Sequence, residues 1–600
     1  MAFDVVASSF QHKVISKSAL RRAIEVGLIG FGLMAYFNLV GLIGQFMERF
    51  IIEGLATLAH TVFLGIAIGV GGLTSHRLLN ETVTRRYLYS ALAGLISGCS
   101  LAVLVFVIDH AQGAIFGAEF DVRFMFVALS PKLLDFLTFG TAPENAVFYH
   151  LIGGVVLGLF GALLYHLPNV LRRPLIGGLA AVWFIGLFSE LIQLAMQFEV
   201  VDDFRNFFFT WEGQTEQGAV TVFVITFAIM AFVTHRGDAV MTGFRAMPSS
   251  GQKSARYALY LLAVVLFLLF PMAAGSFFGQ VLMLVGLYAL MGMGLNIEIG
   301  LAGLLDMGFV AFFATGAYTI ALFTTSTEDV ACVTPPCDYL IQIFDDRSLT
   351  WWEALPIAMI ASLVMGVLFG IPVLKVRGDY LAVATLGLGE IIRVVVVSDM
   401  AAPMLGGSQG ILAIPRPHLF GFEFSDPIQL FYLTLVSTIV AAYFAWALEN
   451  SRLGRAWMAI REDEDVGQAL GVNLINVKLL AYGLGAVFAG LAGAIFAAML
   501  ASIYPHSFQL LISINILALI IVGGIGSLPG VVVGSLMLIG TPELLREFGE
   551  FRFLAYGIVL VVMMRVKPLG LWPSSVRKRE LQSVEEAEAL IKQRTQGQKA

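Results

Sequence analysis

An all-α polytopic membrane protein of about sixteen transmembrane helices is the fold class this 600-residue sequence predicts. Three observations predict it. Hydrophobic residues make up 58% of the chain, charged residues only 13%, and mean hydropathy is +0.86, against about 45–50% apolar and about 25% charged in soluble domains. The apolar residues come in runs of about 18–25, enough to cross about 30 Å of hydrocarbon as helices. They show none of the ten-residue apolar–polar alternation of a membrane β-barrel.

Six runs centre on residues 24–46, 54–74, 87–108, 147–166, 174–196 and 218–234. Ten more cover 257–275, 277–297, 308–324, 352–374, 380–399, 428–448, 478–501, 512–524, 531–540 and 552–566. The pair at 512–540 is split by Gly523, Gly524, Gly526, Pro529 and Gly530, which predicts short or broken helices there. Residues 1–23 are polar and basic and lead into a full-length run, so a retained first helix is expected rather than a signal peptide. With the N-terminus inside, sixteen crossings return the C-terminus to the same side. Alternate loops and the tail then hold 26 of the 36 Lys and Arg residues, and the opposite loops hold only Arg49, Arg123, Lys132, Arg205, Arg347, Arg416 and Arg546. Cytoplasmic loops carry that excess, so both termini are expected in the cytoplasm of a cell with a bacterial-type plasma (inner) membrane.

The stretch 235–256 is polar, basic and rich in turn formers, and divides the chain. The expected organisation is a six-helix membrane region at 1–250, a ten-helix domain at 251–570 and a cytoplasmic tail at 571–600. No internal repeat is evident on inspection. Cys99 lies in an apolar run as a packing residue. Cys332 and Cys337 fall in an outer loop, where they form a disulfide or remain two free thiols. No phosphate loop exists, since no Lys follows a Gly, and no metal cluster or nucleophile elbow stands out. The chain is therefore expected to be a transport subunit, not an enzyme, with no cofactor, metal or nucleic acid of its own.

The most informative stretch is the charged island ENSRLGRAWMAIREDEDVGQALGVNLINVK at 449–478, set between two apolar runs. Arg452, Arg455, Arg461 and Lys478 predict that it is cytoplasmic. Glu462 to Leu470 reads as a short helix with Val466, Ala469 and Leu470 on one face, the spacing of a helix laid into a partner's groove. Near 295–309, Asn296, Glu298, Gly300, Gly303 and Asp306 interrupt the apolar pattern. Irregular backbone at membrane depth must border protein or a water-filled cavity, so this is either a broken segment beside a pathway or an ordinary polar turn. Glu390 and Arg393 stand at i, i+3 in one run, as a clamp beside a pathway or a self-neutralising pair. Gly406, Gly407 and Ser408 (LGGSQGI, 405–411) sit in an outer loop, facing a docked protein or simply forming a turn. Gly483, Gly485, Gly490 and Gly493 give one helix a small-residue packing face. In the first six runs, His60 and His150 read as packing residues, and Trp211 as an interfacial one.

Four blocks in this order, IGLAGLLDMGFVAFFATGAY at 299–318, DYLAVATLGLGEIIR at 379–393, LGGSQGI at 405–411 and RLGRAWMAIREDEDVGQALGVN at 452–473, resemble the LivM-type permease of branched-chain amino acid ABC importers. KLLAYGLGAVFAGLAGAIFAAML at 478–500 and VGGIGSLPG at 522–530 continue the resemblance, which covers about residues 255–570. It implies a ten-helix ABC importer core moving Leu, Ile and Val, with Arg461, Glu462, Asp463, Glu464, Ala469 and Gly471 in the segment that docks on an ATPase. Asn296, Gly300, Gly303, Asp306, Glu390 and Arg393 are the pathway candidates. The implied partners, besides the lipid bilayer, are a second homologous permease, two cytoplasmic ATPases using ATP and Mg, and an extracytoplasmic substrate-binding protein. Val466 and Gly467 stand where relatives usually show paired alanines, and Gly costs a helix interior about 1 kcal/mol relative to Ala. The rival readings are a urea or other small-solute permease, an ion-coupled secondary transporter, and a membrane enzyme or scaffold. The first six helices match no family in this reading.

Overall fold

The computed structural model describes residues 2–111, 128–196, 202–246, 249–325, 349–373, 376, 379–549 and 551–574. Cys332, Cys337 and nearly all of the 571–600 tail lie outside them. The chain folds as two compact units, Met1–Leu268 and Leu269–Ala600. The division falls inside one continuous helix, Ser249–Ala274, rather than in the polar stretch at 235–256.

The first unit contains α1 (Ala2–Leu39), α2 (Leu58–Arg77), α3 (Val83–Ala111), α4 (Pro143–His166), α5 (Asn169–Leu187) and α6 (Glu216–Ala246). Each contains one apolar segment of membrane-crossing length. Pro143 starts α4 at a position where a missing N–H costs nothing, and Pro168 separates α4 from α5. Helices α2, α3 and α4 pack unusually closely, because Gly94 and Gly98 on α3 face Gly154 and the His150 carbonyl on α4. A side chain at Gly158 would run into the Ser90 carbonyl and the Gly94 backbone. Such small-xxx-small faces let helix backbones touch in a membrane.

Between helices, two hairpins form a small sheet ordered β2-β1-β4-β3, from β1 (Phe50–Ile52), β2 (Ala56–Thr57), β3 (Phe209–Thr210) and β4 (Gly213–Gln214). β1 pairs with β4 in parallel, Ile52 opposite Gln214.

The second unit contains α7 (Ser249–Ala274, shared across the division), α8 (Ser276–Leu295), α9 (Val310–Thr324), α10 (Trp351–Val373), α11 (Asp379–Val397) and α12 (Pro427–Glu449). It continues with α13 (Arg452–Glu462), α14 (Glu464–Ala469), α15 (Leu474–Leu500), α16 (Leu510–Gly523), α17 (Leu528–Ser535) and α18 (Phe551–Val566). Among the described residues thirteen helices are long and apolar enough to cross a membrane. The other three of the sixteen expected runs are the shorter helices at Val310–Thr324, Leu528–Leu544 and Phe551–Val566. Two of these are short because irregular backbone takes up their starts. After α8 the chain makes a π-turn at Asn296–Leu301 and runs without regular structure to Gly308; after α16 it turns through Gly524 to Ser527.

α15 is the central helix. Gly493 lies against the Phe313 carbonyl of α9, Gly490 against Gly316 and Ser362, and Gly483 against Leu363 of α10. Two fully buried indoles tie its ends, Trp351 Nε1 donating to the Ala494 carbonyl (3.2 Å) and Trp457 Nε1 to the Val477 carbonyl (2.7 Å).

Candidate functional site

The charged island folds as two helices rather than one from Glu462 to Leu470. Ser451 caps α13, and its buried Trp457 and Ile460 face inward. Asp463 is extended (φ −157°) and its Oδ1 accepts from the Asp465 and Val466 N–H groups, so the same residue ends α13 and starts α14. Gly467 is buried on Ile460, where a Cβ would sit 3.1 Å from Ile460 Cγ2. Its smallness thus lets α14 fold back onto α13, a packing reason for a residue that weakens the helix itself. Gly471 (φ +88°) ends α14. The turn leaves Val466 55% and Leu470 77% exposed, with Glu462, Asp465 and Ala469 exposed beside them.

The inner side of the island is fastened to the helical core. Lys478 on α15 pairs with Glu464 at 2.5 Å. The Arg461 guanidinium donates through Nη1 to the Gly300 carbonyl in the π-turn. Its aliphatic stem covers Gly303 (φ +74°), where a Cβ would lie 2.8 Å from Arg461 Cγ. Arg461 therefore points into the core and is not part of the exposed face, unlike Glu462, Asp463 and Ala469.

The π-turn is in turn joined to the second break. Asn296, 2% exposed, accepts through Oδ1 from the Gly526 N–H at 2.9 Å. A side chain at Gly300 would strike that same Asn296 oxygen. Leu571 and Trp572, beyond α18, donate their N–H groups to the Val522 and Gly523 carbonyls, both 2.8 Å. Backbone groups freed by the two breaks thus find partners inside the protein, the condition for irregular chain at membrane depth. The start of α9 is supplied by its neighbours: Ser513 Oγ accepts from Val310 N–H (3.0 Å) and Thr385 Oγ1 from Met307 N–H (2.9 Å). Asp306 accepts from Gly308 N–H at 2.7 Å and is buried.

Asn296, Gly300 and Gly303 thus assemble with Arg461, whereas Glu390 and Arg393 form a separate group on α11. They pair at 2.8 Å with side chains 39% and 42% exposed. Arg393 also borders a cavity of about 10 Å³ with Val310, Ala311, Tyr318, Ile392 and Phe508, room for about one water. The 405–411 loop is a pinned turn: Gly406 and Gly410 have φ +74° and +69°, and Ile411 exchanges two backbone bonds with Ile503 (2.9 and 2.8 Å). Ser408 and Gly406 are exposed there and Gly407 is buried. Sequence reading placed Gly526 and Thr385 in conspicuous blocks but not as structural partners of this site, and missed Ser513, a single polar residue with no local pattern. In the first unit, His150 Nε2 bonds the Leu137 carbonyl (2.8 Å) and His60 Nδ1 the Thr57 hydroxyl (2.8 Å), both packing roles, and Trp211 is 94% exposed.

Residues 277–566 match the family model described as branched-chain amino acid transport system / permease component. The chain is similar to the high-affinity branched-chain amino acid transport system permease protein LivM of Salmonella typhimurium strain LT2, 34% identical over 361 residues, which cover 56% of this chain and 79% of that protein. It is 34% identical to LivM of Escherichia coli strain K12 over 351 residues, 54% of this chain and 77% of that one. LivH of the same strain is 27% identical over 176 residues, 29% and 55% respectively. No solved structure matches. The family match lies within the unit that holds the two breaks and the charged island, and the chain belongs to the family of branched-chain amino acid transport permeases.

Proposed function

We propose that this chain is the transmembrane permease subunit of an ATP-driven importer for Leu, Ile and Val, with both termini and the 449–478 island in the cytoplasm of a bacterial-type cell. One observation carries the reading: Arg461, in the last turn of α13 and next to the turn that exposes Val466 and Leu470, donates to the Gly300 carbonyl of a broken membrane helix. Val466 on α14 and Leu470 at its C-terminal cap are the surface offered to an ATPase subunit. ATP binding there shifts α14, and the Lys478–Glu464 pair and Arg461 carry the shift to the π-turn. Asn296 passes it to Gly526 and the second break. The two breaks are where the spans change between outward- and inward-facing packing, because irregular backbone deforms at less cost than a continuous helix.

Glu390 and Arg393 are exposed at membrane depth in the isolated chain. Charged groups there face a bundle interior or an aqueous cavity rather than lipid. We assign that face of α11 to the pathway shared with a second, homologous permease. Two cytoplasmic ATPases supply ATP hydrolysis with Mg, and an extracytoplasmic binding protein delivers the amino acid. This chain binds no cofactor and makes or breaks no covalent bond.

The test is uptake of radiolabelled leucine into vesicles holding the assembled transporter. Val466→Glu with Leu470→Glu is expected to cut ATP-dependent uptake at least about tenfold while the permease still inserts and folds, since two buried docking contacts of about 1.4 kcal/mol or more are lost. Leucine uptake in ATP-depleted vesicles driven by a sodium or proton gradient would overturn the reading in favour of a secondary transporter. Uptake of urea but not leucine would reassign the cargo.

A further inference from the structure

The first break contains an arrangement that coupling does not explain. Glu298 (0% exposed) and Asp306 (1%) face each other across the irregular stretch. Neither Glu298 oxygen has a hydrogen-bond donor, nor does Asp306 Oδ2; the other Asp306 oxygen accepts from Gly308 N–H. Glu298 Oε1 lies directly against Gly485 of α15, where any side chain would displace it. One turn earlier on the same helix stands Tyr482, fully buried, its hydroxyl without a partner and close enough to feel both carboxyl charges.

Among the described residues no cation is paired with either carboxyl: Arg461 of α13 is on the Gly300 carbonyl, Lys478 of α15 on Glu464 and Arg393 of α11 on Glu390, while Tyr482 and the Thr385 hydroxyl stand beside the pair. Two adjacent buried carboxylates with no counter-charge are untenable, whereas one proton between them supplies the missing donor and removes one charge. We propose that Glu298 and Asp306 hold one proton between them as a carboxylic acid–carboxylate pair, which makes the first break a proton-binding site. Glu298 lies two residues before Gly300, the point where Arg461 grips the chain. Loss of the proton therefore loosens the part of the membrane helix that the charged island holds, and it does so whatever the transported solute.

The experiment uses the full chain in lipid nanodiscs. Infrared spectroscopy is expected to show the C=O stretch of a buried protonated carboxyl, shifted down in heavy water and lost in Glu298→Gln. Absence of the band from the wild type overturns the proposal without need of any variant that folds. So does an unfolding temperature that rises with added sodium or potassium at fixed pH, which would make the carboxylates cation ligands. An Asp306→Asn variant whose band is unchanged from the wild type would overturn it as well.

Discussion

The α3–α4 contact of the first unit and the paired breaks of the second bury backbone in opposite ways. In the first, Gly94, Gly98, Gly154 and Gly158 strip away side chains, and the helices run uninterrupted past one another. In the second, the helices are interrupted, and polar side chains supply the missing partners: Asn296 for Gly526, Ser513 for Val310, Thr385 for Met307. Close packing of whole helices makes a rigid element. Interrupted helices are joined through single side chains instead, so each junction depends on one hydrogen bond.

The largest effect expected from breaking this comparison is in the rigid element. Gly158→Leu forces a side chain into the Ser90 carbonyl and the Gly94 backbone, neither of which yields like a side chain. Overpacking of this kind costs about 1–3 kcal/mol and sometimes more, so the variant is expected to lower the unfolding temperature sharply and to reduce folded yield. A wild-type unfolding temperature would show that α3 and α4 do not rely on contact between their backbones. An effect in the same range, without the upper tail of overpacking, is expected at the junction. Asn296→Ala leaves the buried Gly526 N–H without its acceptor, worth about 1–3 kcal/mol. Uptake is expected to fall more than stability, because the variant removes the link between the breaks; a proportionate loss of both would make Asn296 a packing residue only. The smallest effect is at the α13–α14 turn. Gly467→Ala adds about 1 kcal/mol of helix preference but places a methyl 3.1 Å from Ile460 Cγ2. The two nearly cancel, and thermal unfolding is expected to change by less than about 1 kcal/mol. A large stabilisation would mean that α14 is not held against α13.

Much of the fold was legible because burial in hydrocarbon writes itself into composition. All sixteen apolar runs lie on helices of the structure, and the interruptions at 298–307 and 523–530 were visible as glycines and polar residues inside apolar stretches. The site was legible only in part. Arg461 stood out by its charged neighbours, yet its direction did not, since an arginine ending a helix reads the same whether it faces solvent or a carbonyl far along the chain. Gly467 read as a weakness and is a contact surface.

The sequence by itself determined the membrane class, the helix content, the two interruptions and the family, because each depends on residue type over a local window. Only the tertiary structure decided that Asn296 meets Gly526, that Glu298 meets Asp306 beside Gly485, and that Arg461 turns inward. Those pairings depend on helices packed side by side from distant parts of the chain, and local pattern carries no record of which distant residue fills a given gap.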